Sequence, residues 1–273
     1  MSLVVTPETT AFLERFRVTL PHAQLLAGTE GIGLYALAHH MAEAAGQIIA
    51  IIRPIAKTKA GVPSIATQAI RDLYETARSR QLKASFIIID DADSMTLSAQ
   101  NALLKLLEEP NRSTHFILTT HQPEKLLPTI RSRVQRFTVP RVDEITSRRL
   151  TKSLGITDEK LRAQILYIAS GLPAEISRLS ADKRYFDELA TRAGQARRFI
   201  EGTTYDRLVV IQTFKEDRAS ALAFIRTLLL ILERIFIRTP TRDVAKLIQS
   251  LIEATEAVQA NGNIRLQLST VMV

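Results

Sequence analysis

"SFIIIDDAD", residues 85–93, carries four large apolar side chains in a row and then ends on acids. A short continuous apolar run with β-branched residues and no polar alternation is how a strand buried on both faces of a parallel sheet reads. Outward from it the chain alternates. Towards the N-terminus, "HAQLLAG" (22–28) reads as a short buried strand ending at Gly28, "LYALAHHMAEAAG" (34–46) as a helix ending near Gly46, and "IIAIIRP" (48–54) as a strand closed by Pro54. In "IATQAIRDLYETARSR" (65–80), Ile65, Ala69, Ile70, Leu73 and Ala77 stand at helical spacing and predict one helix. Towards the C-terminus, "SAQNALLKLLEEP" (98–110) predicts a helix stopped by Pro110, and "THFILTT" (114–120) another buried strand. Such alternation predicts an α/β domain with a parallel sheet and helices on both faces.

From about Pro140 the pattern changes to short helices broken at Gly155 and at Gly171–Pro173. Longer amphipathic or buried helices follow in 183–215, 218–238 and 241–260, and no strand of weight is read after Val139. The expected organisation is an α/β domain over 1–140, a small helical domain over 141–184 and a helical C-terminal domain over 185–273.

Composition narrows the function classes. The 273 residues contain no cysteine, which excludes disulfides, thiolate chemistry and cysteine zinc sites. No run approaches the roughly 18 apolar residues of a membrane span. The first residues show no basic start followed by an apolar stretch, so a cytoplasmic, non-membrane protein is expected. A net charge of +8 and a pI near 9.9 fit contact with nucleic acid or acidic partners. Only 5% of residues are aromatic, which argues against a base-stacking single-strand binder. The pair His39–His40 suggests no metal site, because adjacent helix residues point apart and no carboxylate or further histidine is read at ligand spacing.

Two segments have the outline of a nucleotide site. Gly28 to Gly33, "GTEGIG", fit the first six places of G-x-x-x-x-G-K-[ST], with Gly31 between them. Leu34 stands where the lysine belongs and Tyr35 where a small hydroxyl would meet magnesium. Losing the lysine removes charge-assisted hydrogen bonds of roughly 1.5–3 kcal/mol each. Leu34 is expected to turn an apolar side chain towards the phosphate oxygens. The same residues also read as a plain glycine turn between strand and helix. In "FIIIDDAD", Asp90 is a candidate metal-side carboxylate and Asp91 a second acid, the pattern that holds magnesium and polarises water in nucleotide hydrolases. The alternative is that both acids cap the solvent end of a strand. Thr119 or Thr120, at the end of "ILTT", could sense a γ-phosphate.

A longer ordered set carries a resemblance. "SAQNALLKLLEEP" followed by "HFILTTHQPEKLLPTIRSRVQRF" (115–137), with "LPHAQLLAGTEGIG" (20–33) and the terminal "NGNIRLQLSTVM" (261–272), resembles the clamp-loader subunits of bacterial DNA polymerase III within the AAA+ family, the gamma/tau/delta-prime type. "IRSRV" (130–134) is similar to that family's Ser-Arg-Cys motif, with Val134 in place of cysteine. The resemblance implies an AAA+ parallel-sheet domain, a helical lid and a helical collar that assembles the ring. It implies that Arg133, next to Ser132, acts in trans as an arginine finger on a neighbour's ATP. It also places Ala174 of "GLPAE" (171–175) where hydrolysing subunits carry a nucleotide-sensing arginine. Lysine, hydroxyl and sensing arginine are thus lost together, which resembles the stationary, non-hydrolysing member of such a ring. That member would bind no cofactor of its own, the magnesium-ATP being held by its neighbour. Expected partners are gamma/tau-type and delta-type subunits and, transiently, a sliding clamp and primer–template DNA. Lys105, on the 98–110 helix, is expected near DNA or the clamp. The family's frequent four-cysteine zinc module is absent. Two other readings are an atypical but active ATPase of the same family and a stand-alone DNA-binding adaptor.

Overall fold

A computed structural model of the chain describes residues 3–56, 63–78, 83–108, 113–214, 217–260 and 262–271. Its contacts divide the chain into two compact units, Met1–Arg178 and Leu179–Val273.

The first unit is an α/β layer structure. Helix α1 (Pro7–Val18) opens on Thr6, whose hydroxyl accepts the Thr9 N–H, with Pro7 at the first helical position where its missing N–H costs nothing. Strand β1 (Ala23–Ala27) leads through a glycine loop into α2 (Leu34–Ala45), followed by β2 (Gln47–Ile52). Then come the short helices α3 (Thr67–Arg71) and α4 (Leu73–Arg78), strand β3 (Ser85–Ile89), helix α5 (Leu97–Glu108), strand β4 (Thr114–Thr120), the single turn α6 (Pro128–Arg131) and strand β5 (Gln135–Thr138). All pairings are parallel, in the order β2-β3-β4-β1-β5. Strands β1, β3 and β4 are inside the sheet and nearly wholly buried, which is why they read as continuous apolar runs.

Each face of the sheet has its own core. One gathers Leu25, Ile87, Ile89, Phe116 and Leu118 against Ile70, Leu73, Leu103 and Leu107. The other gathers Leu26, Phe86, Ile88 and Ile117 against Phe12, Phe16, Leu37 and Met41. The alternation of strand residues between the two sets follows from the two-residue period of the strand. Strand β5 is mostly exposed at one edge, so it lacks the apolar run that marks the inner strands and no strand was expected there. The helix expected over 65–80 is two: Ile65 instead bridges Met95 in parallel, and the helix is interrupted at Asp72. Pro110, the expected stop of α5, lies outside the described residues, as do Asn261 and Met272 of the terminal motif. The unit ends with α7 (Glu144–Ser153), α8 (Glu159–Ala169) and most of α9 (Pro173–Ala181). Residues 141–178 thus group with the α/β layer.

The second unit is helical: α10 (Lys183–Glu201), α11 (Thr204–Gln212), α12 (Arg218–Arg238), α13 (Arg242–Gln259) and α14 (Ile264–Thr270). Each starts on a side-chain cap, from Asp182, Thr203, Asp217, Thr241 and Asn263. The long helix expected over 183–215 breaks at Gly202–Thr203, where Thr203 and Asp206 form a reciprocal capping box. Phe199, Phe224, Leu228, Leu251 and Leu268 centre its core. No described helix of the chain is long and apolar enough to cross a membrane.

Candidate functional site

The parallel sheet brings the carboxyl ends of β1, β3 and β4 to one edge, where loops of α/β proteins carry their chemistry. The loop after β1 holds its turn by glycine: Gly31 (φ 85°) and Gly33 (φ 99°) occupy the left-handed region. Its start is tied to β4 by the Gly28 N–H, which donates to Thr120 O at 3.2 Å.

Leu34 does not face the loop's mouth. It is 3% exposed and packs in the core with Leu26, Ile32 and Leu37, close enough that a side-chain carbon on Gly28 would meet it at 3.2 Å. The expectation that it points at phosphate oxygens is therefore wrong, because burial among apolar neighbours outweighs any exposed position for a leucine. On the opposite side α9 closes on the loop. The Glu175 N–H donates to Gly31 O at 3.0 Å, and a Cβ on Gly31 would stand 2.8 Å from Glu175 Cβ. Ala174 Cβ lies 3.3 Å from where one on Gly33 would be. Arg141 Nε reaches Thr29 Oγ1 at 3.4 Å.

The acids at the end of β3 form a network within the chain. The buried Thr119 hydroxyl donates to Asp90 Oδ1 at 2.7 Å and accepts from the Asp91 N–H at 2.9 Å. The buried Thr120 hydroxyl donates to Asp93 Oδ1 at 2.6 Å and accepts from the Gln122 N–H at 3.1 Å. Both candidate sensor hydroxyls thus have protein partners. His121 links the network to the loop. Its Nδ1 is 2.7 Å from Gly28 O, and since a carbonyl only accepts, Nδ1 carries the proton. Its Nε2 stands 3.5 Å from Asp91 Oδ1. Asp91 itself sits at φ 49°, the one described non-glycine residue with a positive φ. Burial raises its pKa above the usual carboxylate value, and the charge of Asp90 adds to that, while His121 pulls the other way.

A cation comes from the residue just after β2. Arg53 Nε lies 3.7 Å from Asp90 Oδ2, and its guanidinium covers the Tyr35 ring, with Cζ 3.9 Å from the centroid. Neither Arg53, His121 nor Asp93 was picked out from the sequence. Arg53 is invisible without knowing that β2 lies beside β3, whereas His121 directly follows the two threonines and Asp93 ends the acidic motif. Beside the loop, a cavity of about 700 Å³ is lined by Val5, Tyr35, His39, His40, Leu150 and Ala174, among others.

His39 does have a carboxylate at ligand spacing, contrary to expectation: its Nδ1 pairs with Glu43 Oε2 one helical turn on, at 3.2 Å. Among the described residues no three histidines, aspartates or glutamates gather as a metal site. Lys105 is exposed on α5.

Arg133 is built differently. Pro128 starts the single turn of α6, and the chain leaves it through Ser132 and Arg133 on the surface before entering β5. The guanidinium pairs with Glu108 Oε1 at 2.8 Å and donates to Thr129 O at 3.1 Å. The Ser132 hydroxyl donates to the same carbonyl at 3.1 Å. Val134 packs against the core of the α5 face, as the place of a buried, unreactive side chain requires.

Residues 47–143, about a third of the chain, match the family model described as DNA polymerase III, delta subunit. The chain is 32% identical over 187 residues to the DNA polymerase III subunit delta' of Pseudomonas aeruginosa, covering 58% of this chain and 55% of that protein. It is 46% identical over 74 residues to the subunit delta' of Bacillus subtilis, covering 26% and 22%. The subunit gamma/tau of Mycobacterium tuberculosis is 34% identical over 116 residues, covering 40% and 20%. The chain thus spans about half the length, or less, of these curated relatives. Among solved structures, a gamma subunit-related protein of DNA polymerase III from Thermotoga maritima aligns at TM-score 0.52 and 18% identity over 96% of both chains. A RuvB variant from the same organism aligns at 0.51 and 15%, over 95% of this chain and 83% of that one. These two likenesses are of fold alone, a parallel sheet followed by helices.

Proposed function

We propose that this relative of the DNA polymerase III delta-prime and gamma/tau subunits serves as the non-hydrolysing member of a replicative clamp loader and lends Arg133 to the ATP site of a neighbouring subunit. One contrast carries the reading. The loop that would cradle phosphates is tied to its own chain at Gly28 and Gly31, whereas Arg133 stands on the surface beside β5, held by an exposed ion pair and one carbonyl. The loop does not fit a magnesium nucleotide. Leu34 is buried, Tyr35 stacks under a guanidinium, and Ala174 supplies no charge.

Arg133 would act as a planar fork of donors beside the transferred phosphoryl group. There it stabilises the negative charge that spreads over the equatorial oxygens in the transition state. Its present partners are compatible with that task, since an exposed ion pair contributes about 0–1 kcal/mol and is readily exchanged. Ser132 orients the turn that presents it. The helical residues 185–273 would pair with gamma/tau-type and delta-type subunits in a collar, and 141–184 would form the lid. The +8 charge suits a salt-dependent, sequence-blind share of contact with primer–template DNA while a sliding clamp is loaded in the cytoplasm, with Lys105 near the DNA or the clamp.

The test joins two measurements. The isolated chain, titrated calorimetrically with magnesium-ATP and assayed for phosphate release, is expected to show neither binding nor turnover. Added to gamma/tau-type and delta-type subunits with clamp and primed DNA, it is expected to stimulate turnover, and the Arg133→Ala chain to fail. A second reading, an atypical ATPase that holds its own nucleotide, is favoured by the cavity of about 700 Å³ beside Tyr35. Turnover by the isolated chain, abolished by Asp90→Asn, would establish it over the first.

A further inference from the structure

We propose that Arg53 is the resident cation of the acidic centre: bridging Tyr35 and Asp90, its guanidinium takes the place a divalent ion would need and keeps such ions out. The proposal rests on the non-hydrolysing reading and gives it a physical cause beyond the missing lysine.

Register brings Arg53 to this position. Strands β2 and β3 pair in parallel with Ile52 opposite Ile89, and the Asp90 N–H donates to Ile52 O at 2.9 Å. Arg53 and Asp90 are therefore the next residues out on two neighbouring strand ends. Pro54 disfavours a helical backbone at Arg53, so the chain stays extended there and the side chain stays at the sheet's carboxyl edge.

Three observations then converge. Both Asp90 oxygens have partners in the chain: Oδ1 takes the Thr119 hydroxyl at 2.7 Å and Oδ2 faces Arg53 Nε at 3.7 Å. Tyr35, the residue at the magnesium-hydroxyl place of the loop pattern, offers a ring face, which attracts a cation but cannot ligate one through oxygen. Asp90, Asp91 and Asp93 stand within four residues of one another, and the repulsion that Asp90 and Asp93 exert on Asp91 favours positive charge close by. Arg53 provides it permanently and His121 beside Asp91 adds a second polar partner. The Asp90 side chain is 17% exposed and that of Arg53 53%, so the pair is sheltered from solvent at its carboxylate end. A hydrated divalent ion entering here would have to displace a guanidinium already stacked and paired, and would then meet its charge at close range.

The probe is Mn²⁺, titrated into the full chain and followed by the loss of its free paramagnetic resonance signal. Wild type is expected to show no specific site. Arg53→Ser is expected to gain a Mn²⁺ site about tenfold or more tighter than the nonspecific binding of wild type, as removal of one opposing charge at short range implies. Adding Asp90→Asn to Arg53→Ser should abolish the gain. Arg53→Lys, which keeps the charge, should remain closed. If Arg53→Ser does not fold, as judged by its thermal melt, Tyr35→Ser removes the ring beneath the guanidinium and should raise Mn²⁺ affinity in the same direction. Equal Mn²⁺ binding by wild type and the variants, or a gain that survives Asp90→Asn, overturns the proposal. Phosphate release from ATP is read on the same samples. Turnover by wild type sinks the non-hydrolysing reading, whereas silent ATPase with unchanged Mn²⁺ binding sinks this inference alone.

Discussion

The phosphate-loop centre and the Arg133 corner are built from the same kinds of side chain, yet their polar groups are spent in opposite ways. In the centre, Thr119, Thr120, Asp90, Asp93 and the Gly28 carbonyl all have partners inside the fold, and Leu34 is sunk among apolar residues. At the corner, the Arg133 side chain is 38% exposed and its partner Glu108 49%. A network of that kind resists a ligand that needs those same oxygens, because a new contact to them must first break an existing one. A surface pair offers little resistance, since water or another anion replaces the partner at small cost. The comparison teaches that one chain can tie a glycine loop into its fold while an arginine at another corner stays available.

The largest effect that could break this comparison lies at the corner. Arg133→Ala is expected to lower turnover at the neighbouring ATP site by roughly 10³-fold or more in the assembled loader. The chain's own melting temperature should hardly move, because only an exposed pair is lost. Arg133→Lys keeps the charge without the fork and should recover a minor part. Steady-state phosphate release by the assembly, with and without primed DNA, reads all three. Unchanged turnover in Arg133→Ala would leave the corner an ordinary surface.

The next effect lies in the joint. Gly31→Ala places a Cβ 2.8 Å from Glu175 Cβ at φ 85°, so backbone strain of about 1–2 kcal/mol is joined by overpacking of about 1–3 kcal/mol. Gly155→Ala meets the same kind of strain (φ 77°) with nothing within 4 Å, and isolates the first contribution. Urea unfolding of both variants measures the difference. Equal destabilisation would mean that α9 does not clamp the loop.

Much of this was legible in the sequence. Residues 86–89 and 116–118 announce inner strands because burial on both faces leaves no polar position there to blur the pattern. Strand β5 was not legible, because an exposed edge imposes no such pattern. The break at Asp72 escaped because Ile65 and Ala69 stand at helical spacing although only Ala69 is helical, Ile65 being the residue that bridges Met95. At the site, the vacated lysine and hydroxyl positions could be read from the motif, but not what fills them. Arg53 reaches Asp90 only through strand order, and Leu34's inward turn uses space that a side chain on Gly28 would fill. The Glu108–Arg133 pair joins residues far apart in sequence, through a fold that no local pattern encodes.

A smaller effect would sharpen the account of the corner. Glu108→Ala removes the partner that holds Arg133 against its own chain. Turnover in the assembly is expected to rise, by no more than about fivefold, since an exposed pair stores at most about 1 kcal/mol. The rise should fade at high salt, where the pair is screened in wild type as well. A fall in turnover would instead mean that Glu108 holds Arg133 in its working position.

The smallest effect concerns Asp91, whose pKa burial and Asp90 raise above 3.8. A carboxyl that is harder to ionise folded than unfolded contributes nothing below pH 3.8, where it is protonated in both states. As pH rises from there through the raised folded value, the unfolded chain releases its proton first and stability falls. The full penalty is present above the folded value, and so at pH 7. Asp91→Asn removes the charge while keeping a residue suited to φ 49°. The variant should therefore be more stable than wild type at pH 7, by less than about 1 kcal/mol because the side chain is partly open to solvent. The gap should narrow as pH is lowered towards 3.8. Chemical denaturation at pH 7 and pH 5 reads it. A variant less stable than wild type at pH 7 would mean that the contact between Asp91 and His121, 3.5 Å apart, outweighs burial, and that the acid is a tie in the joint rather than a strained remnant.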